Sequence, residues 1–123
     1  MSRMKYKYAL RKKRALRKRK KCRGTASRPR LSVFRSLKHI SGQLIDDDSR
    51  KTLCSLSSRH EDVQKEINSK QTKTDVALLV GRKFGEKSKE LGIERVKCDI
   101  GPYKFHGRVE AFVKGFQKSG IAL

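Results

Sequence analysis

Hydrophobic and polar positions alternate with a period of two in the part of the chain that follows residue 29. Three such runs cover residues 30–36, 39–46 and 51–57. Leu31 and Val33 share one face of the first run, and Ile40 and Leu44 share one face of the second. This period is that of a β-strand, whose neighbouring side chains point to opposite faces of a sheet. Because the other positions are mixed polar with an occasional ring, we expect a sheet that helices cover on one face only.

A period near 3.6 predicts a helix in the second half of the chain. It begins near Thr74, a good N-cap residue, with Asp75 in its first turn, and Gly92 ends it. The residues of its core-facing stripe recur at helical spacing and are Val76, Leu79, Val80, Phe84, Lys87 and Leu91. Gly81 and Gly85 lie inside this helix at a cost of about 1 kcal/mol each relative to Ala. We therefore expect them to permit close packing of the helix backbone on the sheet.

Two further elements follow this helix. Residues 93–100 predict a strand, which should lie parallel to an earlier strand because the chain reaches it through a helix. Residues 107–119 predict a final helix that Gly120 ends, with an apolar stripe of Val109, Phe112, Val113 and Phe116. The polar residues 59–71 predict a short helix or a loop. The β-β-β-α-β-α order indicates an α+β (α/β two-layer) fold with a mixed four-stranded sheet.

Positive charge is concentrated near the N-terminus. The 123 residues include 33 Lys and Arg and 12 Asp and Glu, for a formal net charge of +21, and residues 1–30 hold 15 basic residues and no acidic one. Such a segment repels itself and needs a polyanion to neutralise it. Nucleic acid is the leading candidate, because bound phosphates release their counterions. We therefore divide the chain into a basic arm, residues 1–27, and a folded domain, residues 28–123.

The arm allows three interpretations. In the first, the arm binds nucleic acid, and the stretch Arg3–Lys21 could become helical when it contacts phosphates, because it lacks Pro and Gly. Gly24 and Thr25 would then end the helix. An anionic membrane surface is the rival partner, but the apolar stripe is too thin for an interfacial helix and consists of Tyr6, Tyr8, Leu10 and Leu16. The third interpretation is a solvated, disordered tail.

Several protein classes are disfavoured by what the sequence lacks. No apolar run approaches the roughly 20 residues that cross a bilayer, and the N-terminus has no signal-peptide core, so we expect neither a membrane-spanning nor a secreted protein. Cys22, Cys54 and Cys98 are odd in number and form no Cys-x-x-Cys pair. This favours a reducing compartment and argues against disulfides and a zinc site. We expect Cys54 and Cys98 to be small core residues on strands.

The only acidic cluster is Asp46-Asp47-Asp48. A metal-dependent nuclease needs several carboxylates that converge on one or two divalent ions. Three consecutive Asp residues splay in different directions, and turns favour Asp for local backbone bonding. We therefore predict a turn rather than a metal site, and no motif supports another kind of catalysis.

The segment of residues 101–108 combines two rings, a Lys, a His and an Arg before the last helix. The N-terminus of a helix is a ready phosphate site. Tyr103, Phe105 and His106 could stack on unpaired bases or riboses, as RNA loops allow. The alternative is that Phe105 caps the core and Tyr103 is an ordinary loop aromatic.

A second basic segment is the hairpin turn at residues 36–39. Its Lys38 and His39 could simply be solvated. Alternatively, they extend a continuous basic surface with three neighbouring arginines, Arg28, Arg30 and Arg35.

These segments closely resemble the bacterial ribosomal protein L18 family of the large subunit. The matching strings are Gly24-Thr25, Arg28-Pro-Arg-Leu-Ser-Val-Phe-Arg-Ser36, Lys38-His-Ile40, Gln43, Ile45-Asp-Asp47 and Tyr103-Lys-Phe-His-Gly-Arg-Val109. The resemblance covers essentially the whole chain. It implies three antiparallel strands, a helix, a strand parallel to the first and a final helix, which agrees with the periodicity.

The resemblance also implies a function and a set of RNA-binding residues. Family members bind 5S ribosomal RNA and help attach it to the central protuberance of the large subunit. In the arm the candidates are Arg14, Arg17, Lys20, Arg23, Gly24 and Thr25. On the first strands and their turn they are Arg28, Arg30, Ser32, Phe34, Arg35, Ser36, Lys38, His39 and Gln43. In the loop they are Tyr103, Lys104, Phe105, His106, Gly107 and Arg108.

The chain departs from the usual family pattern at five positions, which are Ser41, Gly42, Ile100, Pro102 and Phe105. An aromatic residue is missing at Ser41, so residue 41 does not count as a stacking platform. The loop before the last helix loses one charge and one hydroxyl donor, which weakens the expected RNA contact there.

The hypothesis is a non-enzymatic, structural RNA-binding protein of the large ribosomal subunit in the cytoplasm, with an organellar ribosome left open. Its expected partners are 5S ribosomal RNA, neighbouring large-subunit ribosomal RNA and ribosomal proteins. We expect no membrane, small-molecule substrate, cofactor or metal. The alternative is a nonspecific basic nucleic-acid-binding protein that uses its arm on any duplex, and a nuclease ranks third.

Overall fold

Four helices and four strands make up the part of the chain that the structure describes. The computed structural model covers residues 3–21 and 23–123, apart from the side chains of residues 18–21. Cys22 lies outside the described residues, and so does the side chain of Lys20. The elements are α1 (Arg3–Lys21), β1 (Arg30–Arg35), β2 (Ile40–Asp46), β3 (Lys51–Ser57), α2 (Glu61–Gln64), α3 (Lys73–Glu90), β4 (Lys97–Asp99) and α4 (Gly107–Gln117).

The strands form one mixed sheet in the order β3-β2-β1-β4. Strand β1 pairs antiparallel with β2, and β2 with β3, whereas β4 lies parallel to β1. A parallel pair needs a crossover connection, which α3 provides. The α+β class, the mixed four-stranded sheet and the parallel fourth strand are therefore confirmed, with α2 as the short helix of the polar segment.

Strand β4 contains three residues, although residues 93–100 predicted a longer strand. The backbone N–H of Val96 donates to the Ala122 carbonyl at 2.9 Å, and the N–H of Ala122 donates to the Glu94 carbonyl at 3.0 Å. The segment before β4 thus pairs with the C-terminal residues instead of β1. This competing partner shortens the strand.

The core lies between one face of the sheet and helices α3 and α4. The sheet contributes the alternating residues that the period of two predicts, which are Leu31, Val33, Ile40 and Leu44, all at most 3% exposed. The predicted stripe of α4 is fully buried as well and consists of Val109, Phe112, Val113 and Phe116. Burial of each such side chain stabilises the fold by about 1.5–3 kcal/mol. Cys54 is buried in this core and Cys98 packs against it, as expected.

Helix α3 begins earlier than predicted, because its N-cap is Thr72 and not Thr74. The Asp75 backbone N–H donates to the Thr72 hydroxyl at 3.2 Å, and the Thr72 backbone N–H donates to the Asp75 carboxylate at 3.0 Å. This reciprocal capping box needs an acceptor three residues after the cap. Asp75 satisfies that spacing from Thr72 and lies too close to Thr74.

The buried face of α3 also differs from the predicted stripe. Leu91 is 58% exposed and Lys87 is exposed, whereas the buried residues are Ala77, Val80, Gly81, Phe84, Gly85 and Ser88. A Cβ atom at Gly81 would collide with the backbone of Phe112, and one at Gly85 would collide with that of Phe116. The two glycines therefore permit close packing of α3 on α4, and the expectation that they pack on the sheet was wrong.

Helix α1 has the bounds of the stretch that the sequence marks as able to form a helix. Its side chains at residues 3–17 are exposed, apart from Leu10 and Ala15, which are half-buried. The helix contains no Asp or Glu, so it is cationic along its length. Among the described helices, none combines the length and apolar character needed to cross a membrane. The boundary between arm and domain at residue 27 stays a prediction.

Candidate nucleic-acid interface

The sheet face opposite the helices presents an aromatic ring among small polar side chains. Phe34 of β1 lies across from Ser41 of β2, which lies across from Ser57 of β3. The next row along the strands consists of Ser32, Gln43 and Ser55. Phe34 is 60% exposed, and Gln43 is exposed as well. An exposed ring on an uncovered sheet is a typical platform for an unstacked RNA base.

The turn between β1 and β2 is closed by its own hydrogen bonds. The Ser36 backbone N–H donates to the His39 carbonyl at 2.8 Å, and the His39 backbone N–H donates to the Ser36 hydroxyl at 3.1 Å. The His39 ring nitrogen Nδ1 lies 2.9 Å from the Ser58 hydroxyl, within hydrogen-bond distance. Lys38 is exposed at the tip. His39 is thus held in place, and Lys38 can reach an anion.

Tyr103 attaches the loop before α4 to the end of β1. Its hydroxyl donates to the Arg35 carbonyl at 3.0 Å and accepts from the Arg35 backbone N–H at 3.2 Å. The Arg35 guanidinium lies 5.0 Å from the centroid of the Tyr103 ring, which is a cation–π distance. Tyr103 therefore positions the loop, and Arg35 covers its ring.

The rest of this loop projects side chains into solvent. Phe105 is 52% exposed, so the alternative in which it caps the core is wrong. Lys104 and His106 are exposed too, and His106 makes no side-chain hydrogen bond to the first turn of α4. Gly107 has φ +59°, a conformation that favours glycine. A ring, an ammonium and an imidazole are therefore available beside the N-terminus of α4.

Arg108 joins the loop to the hairpin turn. Its Nη1 donates to the Ser36 carbonyl at 2.8 Å, and its Nε is buried without a hydrogen-bond partner among the described residues. Burial, and then the neighbouring charge of Arg35, lower the pKa of Arg108 below its usual range. The contacts of Tyr103 and Arg108 make one continuous surface of residues 35–39 and 103–108, which we call the turn–loop surface.

Arg30 occupies a different position from the other candidate arginines. It is 8% exposed, its Nη1 donates to the Asp99 carboxylate at 2.9 Å, and its Nε and Nη2 each donate to the Asp47 carboxylate at 3.1 Å. Burial opposes its charge, but the bonds to Asp47 and Asp99 outweigh burial and raise the pKa of Arg30. Its guanidinium is therefore committed to two carboxylates, and this geometry does not favour the RNA contact that the resemblance implies.

Gly24 fixes the chain between arm and domain to the β2–β3 turn. Its backbone N–H donates to the Asp47 carboxylate at 2.7 Å, and the Asp47 backbone N–H donates to the Gly24 carbonyl at 3.1 Å. A Cβ atom at Gly24 would collide with the backbone of Arg30 and Ile45. Gly24 thus serves the fold, and an RNA contact there would have to use its backbone.

The other two residues of the acidic cluster also have structural partners. The Asp46 carboxylate accepts from the Asp48 backbone N–H at 3.0 Å and from the Ser49 hydroxyl at 2.9 Å. Asp48 forms an exposed ion pair with Arg23 at 2.9 Å. Asp46 ends β2, and Asp47 and Asp48 lie in the predicted turn. Within residues 3–21 and 23–123, no group of three or more His, Cys, Asp or Glu side chains could hold a metal ion.

The arm candidates lie on two kinds of structure. Arg14 and Arg17 are exposed on α1. Thr25 belongs to the connection after it, and its hydroxyl accepts from the backbone N–H of Arg28 at 3.1 Å. Arg28, the first residue of the predicted domain, also donates from its Nε to the Val96 carbonyl at 3.4 Å. The structure brings together the hairpin turn and the loop; of the arm candidates, Arg23 and Gly24 contact the β2–β3 turn, whereas Arg14 and Arg17 lie apart on α1.

The sequence did not point to Arg59 as a candidate. Arg59 is exposed and borders the open sheet face just after β3. The period of two places Ser55 and Ser57 on that face, and one further step of two residues reaches Arg59. Arg59 lies beyond the strand, in a segment whose periodicity indicates no face.

Comparison with known proteins identifies the family. A family model described as ribosomal L18 of archaea, bacteria, mitochondria and chloroplasts matches residues 5–123. The large ribosomal subunit protein uL18 of Petrotoga mobilis is 44% identical over 118 residues, which cover 94% of this chain and 93% of the relative. The same protein of Thermus thermophilus is 50% identical over 94 residues, covering 76% and 79%. This chain therefore belongs to the ribosomal L18 family of large-subunit proteins.

Proposed function

We propose that this chain is a structural constituent of the large ribosomal subunit that binds 5S ribosomal RNA and helps attach it to the central protuberance. The observation that carries the proposal is the turn–loop surface, where Phe105, Lys104, His106 and Lys38 are exposed next to the open sheet face. Rings, cations and an uncovered sheet are the features with which proteins recognise folded RNA. The family membership supports the ribosome as the site of action.

The arm and the domain have different roles in this proposal. Helix α1 presents basic side chains without any acid, so it neutralises phosphates without reading sequence. The domain supplies recognition of shape and of unpaired bases through Phe34 and Phe105, whose rings are more than half exposed. The Gly24–Asp47 contact connects the last part of the arm to the domain.

A binding comparison at two salt concentrations tests the proposal. The purified chain is titrated with 5S ribosomal RNA and with an unrelated structured RNA of equal length. We expect a preference for 5S ribosomal RNA of roughly a hundredfold, about 2.7 kcal/mol, that persists at high salt. Salt weakens the phosphate contacts on both RNAs alike, so a persistent preference reports on the domain.

The second candidate function is nonspecific nucleic-acid binding, which the many basic residues of α1 and its lack of Asp and Glu favour. It predicts equal affinity for both RNAs and a common loss of binding as salt rises. That result would contradict 5S recognition and would leave the arm as the only active part.

A further inference from the structure

The open sheet face carries two shallow depressions in which candidate RNA-binding residues, Phe34 and Gln43 among them, lie beside Arg59, which the sequence did not single out. They lie side by side and share Ser41, Ser57 and Arg59 in their linings. Phe34 borders the first depression, and the second extends along β2 and β3 to Gln43, Ser55 and His60. The small side chain at Ser41 leaves room between the exposed ring and Arg59.

Arg59 supplies a free positive charge to this face. Its backbone N–H donates to the Ser57 hydroxyl at 3.2 Å, which fixes it beside the end of β3. No hydrogen bond or ion pair of its guanidinium occurs within the described part of the chain, whereas Arg30, Arg35 and Arg108 all have protein partners. Neither lining contains Asp or Glu. The charge of the depressions is therefore complementary to an anion.

We propose that the paired depressions bind one unpaired nucleotide of the RNA, with its base stacked on Phe34 and its phosphate bound by Arg59. The inference rests on the proposed function for the identity of the RNA and adds a subsite to it. Base–aromatic stacking and an arginine–phosphate contact are the two interactions with which proteins hold single-stranded nucleotides. The hydroxyls of Ser41 and Ser57 lie in the same row as Phe34 and can donate or accept hydrogen bonds at the base edge.

A paired RNA segment would not fit this arrangement. Bases inside a duplex are stacked on their neighbours, so they cannot lie flat on Phe34. A negatively charged protein segment would pair with Arg59, but it carries no base that could stack on the exposed ring of Phe34. The Phe34 ring and the free Arg59 guanidinium line these depressions together with the small side chains of Ser41 and Ser57. This arrangement favours a nucleotide whose base is turned out of any stack.

The absence of Trp from the sequence makes the site directly observable. In the full-length Phe34→Trp variant, the single indole stands at the stacking position, and the 60% exposure of Phe34 keeps the substitution out of the core. We expect 5S ribosomal RNA to quench the indole fluorescence. Adding Arg59→Gln should weaken binding about 10- to 150-fold, as expected for one charge-assisted hydrogen bond, and should lower the salt slope by about 0.7–0.9.

Arg82→Gln is the matched control, because it removes the same charge from an exposed position on α3, in the helical layer. It should leave affinity within about twofold. An unquenched indole, or equal losses from Arg59→Gln and Arg82→Gln, would overturn the nucleotide site and leave the face to a partner of another class. The preference of the unaltered chain for 5S ribosomal RNA is measured in parallel, so a failure of the proposed function would be seen separately.

Discussion

Two carboxylates from distant parts of the chain meet at Arg30. Asp47 belongs to the β2–β3 turn and Asp99 ends β4, so the three side chains join the turn, the first strand and the last strand. The Asp99 side chain is 3% exposed. A buried ion pair contributes little more stability than well-packed apolar side chains would. Loss of one partner, however, leaves a buried charge without compensation. The main role of Arg30 is therefore to stabilise the fold.

Replacing Arg30 should therefore lower the stability of the domain rather than change its selectivity for RNA. We expect Arg30→Ala to lower the free energy of unfolding by about 3–5 kcal/mol, measured by urea denaturation at pH 7. Arg23→Ala is the control, because it breaks an exposed ion pair on the same turn and should cost at most about 1 kcal/mol. Equal effects of the two substitutions would show that the Arg30 pair is not structural.

The carboxylate of Asp47 makes part of this stability depend on pH. The hydrogen bond from Arg30 lowers the pKa of Asp47 below its ordinary value near 4, although burial opposes the shift. A lowered folded-state pKa gives stability that is present above the unfolded-state pKa and lost as pH falls through the folded one. The Asp47 contribution should thus be constant from pH 7 to about 5 and decline below about 4.

Asp47→Asn tests this pH dependence. At pH 7 we expect a loss of about 1.5–3 kcal/mol in the free energy of unfolding, the usual value of a hydrogen bond to a charged group. The difference between the native chain and the variant should shrink as pH falls from 4 toward 3, because both chains share all other titrating groups. A difference that stays constant over that range would contradict the assignment.

At the scale of elements, the residues that were predicted correctly are those whose pattern is local. Strands β1 and β2 follow from alternation within six or seven residues, and α4 follows from Val109, Phe112, Val113 and Phe116. The cap of α3 was misplaced because Thr72 and Thr74 are both good cap residues. The choice between them depends on a reciprocal bond with Asp75, and the sequence signal for it is the three-residue spacing from Thr72, which the prediction did not use.

The errors at longer range have a common physical origin. The close approach of α3 to α4 at Gly81 depends on the backbone of Phe112, and the Arg30 pair depends on Asp99, 69 residues away. Neither partner can be identified from periodicity, because both depend on how the layers stack. The same holds for the candidate site: the exposed residues of the turn and the loop were identified, but the Tyr103 and Arg108 contacts that unite them were not.

At the scale of the whole molecule, the excess of positive charge and the surface proposed to recognise RNA lie in different parts of the chain. Residues 1–22 contain 12 Lys and Arg and no acidic residue, which is +12 of the net charge of +21, whereas the exposed phenylalanine rings and the sheet face belong to the domain. The described arm side chains are not buried in the domain core, so the core does not depend on them. The anchor at Gly24 lies after α1 and remains when α1 is removed.

Deletion of residues 1–22 should separate the two contributions. We expect much weaker binding to any RNA and a salt slope smaller by several units, since each phosphate contact contributes about 0.7–0.9. The preference for 5S ribosomal RNA over the unrelated RNA should persist, because Phe34, Phe105 and the turn–loop surface remain. A full-length chain with Arg11→Gln, Arg14→Gln and Arg17→Gln is the control and should show an intermediate slope. Full-strength binding without α1, or loss of the 5S preference in a variant that still unfolds cooperatively, would refute this division between arm and domain.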